Sequence, residues 1–214
     1  MGLLGLRRNP WRPSLIYSVS FVGGGNPMVR VNGYAKNIAC LESFWSYNIE
    51  KRLSVLPILE LLERRNGTRS VFLTCNTTEE LKFNLDILKR ATGYGILFLA
   101  FHGYPGGIYL PDLEIDMESI AKFMGRSFRN RIVFFDGCRT LGVKKDRIMD
   151  FISVTGVKMV MGYKRDVDWL DSAALDLLVL NSLQFYKDTG RFWNRFRRAY
   201  KDLVRITGMV VYHK

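Results

Sequence analysis

Two residues in this chain have the types, order and surroundings for nucleophilic catalysis: His102 and Cys138. Each stands just beyond a short apolar run. The first run, Gly95-Ile-Leu-Phe-Leu-Ala-Phe101, leads into His102-Gly103. The second, Arg131-Ile-Val-Phe-Phe135, leads into Asp136-Gly137-Cys138-Arg139-Thr140. A thiol becomes an effective nucleophile when a nearby base takes its proton, and imidazole is suited to that task near neutral pH. The only other histidine is His213, beside Lys214 at the end of the chain, so a Cys–His pair here points to His102. Cys40 and Cys75 read as small buried thiols. The same reading stands beside the nucleophile reading for Cys138, as a satisfied structural histidine stands beside the base reading for His102.

The elements that must position these two residues follow from the runs themselves. Both runs are short, rich in β-branched and aromatic residues, and bounded by glycine, which suits buried strands of a parallel sheet. Ligands of open parallel sheets sit beyond the carboxyl ends of the strands. Neighbouring strands ending in His-Gly and Gly-Cys would bring imidazole and thiol together there.

Around them the pattern alternates strand and helix. A first strand runs from about Tyr34 to Leu41, and a helix from about Arg52 to Arg65, where Pro57 marks either a kink or a late start. Asn66-Gly67 closes it. Ser70 to Cys75 is a strand, and Thr77 or Thr78 caps a helix through Lys89. The glycine-rich segment after His102 reads as a turn and small hairpin, and Asp116 opens a helix to about Met124. After Cys138 a loop with Lys144 and Lys145 leads to a helix near Arg147–Val154, then a strand over Val157–Tyr163. The spacing predicts a long helix over Trp169–Lys187, a basic amphipathic helix from Gly190 to about Arg205, and a last strand at Met209–Tyr212. This order implies a doubly wound α/β domain over residues 31–214, with residues 1–30 as an N-terminal extension.

Composition narrows the setting. The chain has 214 residues, enough for one domain with a substantial core. No apolar run approaches the roughly 20 residues that span a membrane. Three cysteines without regular spacing argue against a disulfide framework or a zinc site, so the expected compartment is the reducing cytoplasm. The net charge of +12 is compatible with a nucleic-acid or acidic partner, but a solvated basic surface is the preferred reading. Trp193, Phe196 and Tyr200, interleaved with Arg191, Arg195, Arg198 and Arg205, are expected to pack on the sheet.

At His102-Gly103 and Asp136-Gly137-Cys138 the sequence resembles the clan CD cysteine peptidases, which include caspases, metacaspases, separase and the bacterial CHAT proteases. The shared pattern is an apolar strand ending in His-Gly and a later one ending in a small residue plus Cys. The separation, 36 positions, is shorter than the caspase spacing of about 50. The surroundings of Cys138 are not the caspase pentapeptide, and the stretch from Val157 to the long helix looks most like the CHAT type.

The resemblance implies a caspase-like, mostly parallel sheet flanked by helices, and a cysteine endopeptidase with no metal or organic cofactor. Cys138 would be the nucleophile and His102 the base. The backbone N–H groups of Gly103 and Cys138 would form the oxyanion hole. Metacaspases carry an aspartate at the place of Asp136, where it helps bind Arg or Lys before the scissile bond. The alternative for Asp136 is a carboxylate bonded to turn backbone. Asp166 and Asp168 are second candidates for the pocket wall, and Asp168 could equally N-cap the long helix. The implied partners are a protein substrate, such as a defence or pore-forming protein in bacterial antiviral defence or regulated cell death, and an activating chain. Two other classes stay open: a catalytically silent protein-binding module, and a nucleic-acid-binding α/β protein.

Overall fold

The structure is a computed structural model, and it describes residues 36–214 apart from 49, 52 and 112. The expected extension over residues 1–30 and the expected first-strand start at Tyr34 lie outside the described residues. Those described form an α/β unit with nine strands and seven α-helices. In chain order these are β1 (Asn37–Glu42), α1 (Leu56–Asn66), β2 (Ser70–Thr74), α2 (Thr78–Arg90), β3 (Tyr94–Ala100), β4 (Gly103–Tyr104), β5 (Gly107–Tyr109) and β6 (Glu114–Asp116). There follow α3 (Met117–Met124), β7 (Ile132–Asp136), α4 (Lys145–Thr155), β8 (Met159–Tyr163), α5 (Trp169–Leu183), α6 (Thr189–Ala199), α7 (Lys201–Thr207) and β9 (Met209–His213). The main sheet has the order β2-β1-β3-β7-β8-β9, and β4, β5 and β6 form a small separate sheet. Every pairing in the main sheet is parallel except that of β8 with β9. This mostly parallel sheet with helices on both faces is consistent with a caspase-like layout.

The two-residue period of the strands builds two cores. On one face Ala39, Leu41, Leu97, Leu99, Val133 and Phe135 pack with α2, α3 and α4. On the other, Ile38, Cys40, Ile96, Phe98, Ile132 and Phe134 pack with α1, α5 and α6. Continuing the alternation to the carboxyl ends puts Glu42 of β1, Ala100 of β3 and Asp136 of β7 on the α5 face. They sit in register, Glu42 opposite Ala100 and Ala100 opposite Asp136. The strand ends therefore carry two buried carboxyl groups separated by one small side chain.

Local chemistry explains where expectation and structure differ. Helix α1 begins at Leu56, because Pro57 occupies its first turn and the Val55 N–H donates to Glu42 Oε1 at 2.7 Å instead of to a preceding helical carbonyl. Gly67 closes it in the left-handed region, φ 64°. Thr77 and Glu80 form a reciprocal capping box at α2. Helix α5 stops at Leu183, short of the expected Lys187. The Lys36 ammonium takes up the carbonyls of Leu183 and Tyr186, both at 2.7 Å. The basic helix expected to begin at Gly190 is two helices. Gly190 lies inside the first turn of α6, which Asp188 caps, and Tyr200 separates α6 from α7. The small hairpin is a three-stranded antiparallel sheet.

Candidate functional site

Parallel pairing of β3 and β7 brings their continuations side by side. The Phe101 N–H donates to Asp136 O at 3.1 Å, which extends the ladder by one residue. Beyond that point the two chains run so close that only glycine fits. A Cβ on Gly103 would collide with the Thr140 side chain and the Cys138 carbonyl. One on Gly137 would lie 2.8 Å from Phe101 O. The glycines that flank His102 and Cys138 thus serve the contact between the two strand ends.

His102 and Cys138 line two cavities together. The smaller, about 140 Å³, is bounded by Trp45, Asp136, Tyr163, Trp169 and Ser172. The larger, about 540 Å³, lies between residues 44–47 and the small sheet. Among the described residues no hydrogen bond joins imidazole and thiol. The Cys138 thiol is held by the loop after β8, donating to Val167 O at 3.7 Å and accepting from Val167 N at 3.4 Å. An N–H aimed at sulfur can serve a thiolate as well as a thiol. His102 Nε2 lies 2.9 Å from the Trp45 carbonyl oxygen. A carbonyl only accepts, so Nε2 carries the proton and Nδ1 holds the free lone pair. The Trp45 ring stands edge-on to His102 at 5.2 Å and to Trp169 at 5.0 Å. The sequence offered no orienting group for His102; it is a backbone carbonyl, which leaves no side-chain signal.

Two N–H groups are open beside them. The Tyr109 N–H donates to His102 O at 2.7 Å, which makes Gly103 and Ile108 a non-hydrogen-bonded pair of the small sheet. The Gly103 N–H therefore lies outside the ladder, and the Cys138 N–H has no backbone acceptor among the described residues. Arg139 follows in the left-handed region at φ 60°, a costly conformation for a residue with a side chain. It is tied down by its N–H to Arg165 O at 3.1 Å and by an ion pair with Asp166 at 2.9 Å.

Asp136 forms part of the floor of the smaller cavity. It is buried, and behind it lies Asp176 of α5, 0% exposed. Tyr163 Oη donates to Asp176 Oδ1 at 2.6 Å, while among the described residues Asp176 Oδ2 meets no N–H or hydroxyl donor. The carboxyl group facing Asp176 is that of Asp136, and a bond between two carboxyl groups requires that one carry a proton. Burial pushes Asp136 up to about 7, with the Glu42 carboxylate adding to the shift and the hydrogen bond with Asp176 opposing it. Burial, and then Asp136 itself, hold Asp176 well above the carboxylate range. Among the described residues no lysine or arginine lines this cavity.

The other expected pocket residues have different places. Asp166 lines the larger cavity, paired with Arg139 and 68% exposed at its side chain. Asp168 is the N-cap of α5, accepting from Leu170 N at 2.9 Å and Asp171 N at 3.3 Å. Neither reaches the floor beside Asp136. Asp176 escaped the sequence reading, although a signal was there. It falls on the buried face of α5 among Ser172, Leu175, Val179 and Leu180, where helical periodicity calls for an apolar residue.

Trp193, Phe196 and Tyr200 pack in the core on the α5 face, while Arg191, Arg195, Arg198 and Arg205 are exposed. Among the described residues no helix is long and apolar enough to cross a membrane.

The fold is that of an α/β protein with chemistry-bearing residues at the carboxyl ends of its central strands. A model of a family of unknown function, DUF6642, matches residues 35–213, and the chain belongs to that family. A comparison with curated proteins gives no match.

Proposed function

We propose that this protein is a cysteine endopeptidase that cuts a partner protein after an arginine or lysine. The observation that carries the reading is the union of three features at one cavity: a half-buried thiol, an imidazole whose Nδ1 has no hydrogen-bond partner among the described residues, and the buried Asp136, backed by Asp176, with no lysine or arginine among the described lining residues. A buried acid pair is costly to the fold, and such groups concentrate at sites where a ligand repays the cost. A guanidinium or ammonium entering over Asp136 would supply the missing positive charge.

In this mechanism the basic side chain occupies the smaller cavity and sets the scissile carbonyl over Cys138. His102 Nδ1 takes the thiol proton, and Sγ attacks the carbonyl carbon. The Gly103 and Cys138 N–H groups hold the developing oxyanion. The proton on Nδ1 passes to the leaving amine as the C–N bond breaks, leaving a thioester. Water, deprotonated by the same nitrogen, adds to the thioester, and the thiol is released. The Trp45 carbonyl keeps Nε2 protonated throughout, so that Nδ1 does the work.

A peptidyl chloromethyl ketone ending in Arg tests this. It should alkylate Cys138 at least about tenfold faster than one ending in Asp or Leu, the factor a single charged contact gives. Cys40 and Cys75, fully buried, should stay unmodified until the protein unfolds. A Cys138 as inert as Cys40 would turn the reading to a silent protein-binding module. That alternative is favoured by one observation, the separate hydrogen bonding of His102 to Trp45 and of Cys138 to Val167.

A further inference from the structure

The geometry points to a second specificity subsite, the larger cavity, which receives a bulky apolar or aromatic side chain directly beside the basic residue of the same substrate. This rests on the reading above and goes beyond it.

The larger cavity adjoins the acidic one, because Trp45, His102 and Cys138 line both. A peptide with its carbonyl at Cys138 and its basic side chain over Asp136 must send a neighbouring residue along the other side of Trp45. There the surface is aromatic where a soluble protein is usually polar. Phe44 is 46% exposed, Tyr47 80% and Tyr109 40%. The core does not use this area. Phe44 and Tyr47 pack edge-on at 5.7 Å, and Tyr109 packs with Tyr104 at 5.0 Å across the small sheet.

The walls are fixed at their feet and joined at the top. The Ser43 N–H donates to Ala100 O at 3.1 Å and the Phe44 N–H to Asn76 Oδ1 at 3.0 Å, so residues 43–44 are anchored to the sheet. Tyr47 Oη donates to Pro111 O at 3.1 Å, bridging the loop and the turn of the small sheet above the cavity. The result is a slot about four times the volume of the acidic one, in which Asp166 is the one Asp, Glu, Lys or Arg among the described lining residues. An aromatic ring placed there would bury the exposed faces of Phe44, Tyr47 and Tyr109 and gain edge-to-face contacts. A glycine or a carboxylate would do neither.

Fluorescence polarisation with Cys138→Ala protein reads this without cleavage. The probes are labelled heptapeptides with a central Arg or Gln, flanked on one side or the other by Phe, Gly or Asp. Phe beside the central residue should tighten binding about tenfold over Gly, as a buried aromatic anchor does. Tyr47→Ala and Tyr109→Ala should each erase most of that gain, and Tyr47→Phe, which keeps the ring, should retain it. Equal binding of Phe and Gly peptides, or a Phe gain that survives both alanine variants, overturns the subsite. The two readings fail separately. Arg preferred over Gln with no Phe gain removes the subsite alone. A Phe gain with Gln and Arg bound equally removes the basic-residue reading and leaves the slot. No binding by any peptide removes both.

Discussion

Glu42 and the Asp136–Asp176 pair lie two strands apart on the same face of the sheet, are similarly buried, and are satisfied in opposite ways. Glu42 is fully engaged by its own chain. Its Oε1 accepts from Trp45 Nε1 and Val55 N, both at 2.7 Å, and its Oε2 from Ser54 Oγ at 2.6 Å. It clamps the loop that carries Trp45 and the entry to α1. Asp176 Oδ2 finds no N–H or hydroxyl donor among the described residues, which leaves it only a carboxyl proton shared with Asp136. One buried carboxylate holds the scaffold, and the other two receive no cation from the described residues. Burial alone therefore does not separate structural from functional acids. The donor count does.

The contrast is open to attack by substitution. Glu42→Gln replaces an oxygen that accepts with an amide that must donate among three donors. It should destabilise the fold by about 3 kcal/mol, measured by urea unfolding, as breaking a buried charged network does. A loss below about 0.5 kcal/mol would mean that Glu42 is no clamp.

Asp136→Asn should act in the other direction. Folding raises the Asp136 pKa from an unfolded value near 3.9 to about 7, so the folded state binds the extra proton between these values. The native protein is thus favoured at low pH and loses stability as the pH climbs through about 7. The variant has no such charge to bury. At pH 8 it should be more stable than the parent by on the order of 2 kcal/mol, and at pH 4 nearly equal to it. Stabilisation at pH 4 and none at pH 8 would show that Asp136 is not the group carrying the proton.

Trp45→Phe gives the smallest effect. It removes one of three donors to Glu42 while keeping the carbonyl that faces His102. A loss of about 1 kcal/mol is expected from a single hydrogen bond. A loss as large as that of Glu42→Gln would mean that this one donor carries the network.

Much of this was legible in the residues. Two apolar runs with glycine at their ends were enough to place His102 and Cys138 just beyond adjacent parallel strands, and the α/β architecture followed from the alternation around them. The face of Asp136 was legible too, since Ile132 and Phe134 two and four positions earlier fix the side to which it points. What could not be read was tertiary. The carbonyl that orients His102 comes from Trp45, in a loop far away in sequence, and any residue type has a carbonyl. Asp176 belongs to α5, and its pairing with Asp136 needed the crossing of that helix over β7 and β8. Asp168 and Asp166 could be told apart only by seeing which N–H groups and which arginine they meet. The end of α5 depended on Lys36, 147 positions away from Leu183.

Cleavage of fluorogenic peptides by the wild-type protein decides the matter, with Arg, Lys, Asp or Leu before the reporter and with Cys138→Ala and His102→Ala alongside. Hydrolysis should follow Arg and Lys, fall at least about a thousandfold in both variants as loss of a nucleophile or its base does, and weaken below pH 7 as Asp136 takes up its proton. Hydrolysis after Leu or Asp, or turnover that survives removal of Cys138, would contradict the assignment of the acid pair to a basic side chain and of the thiol to the attack.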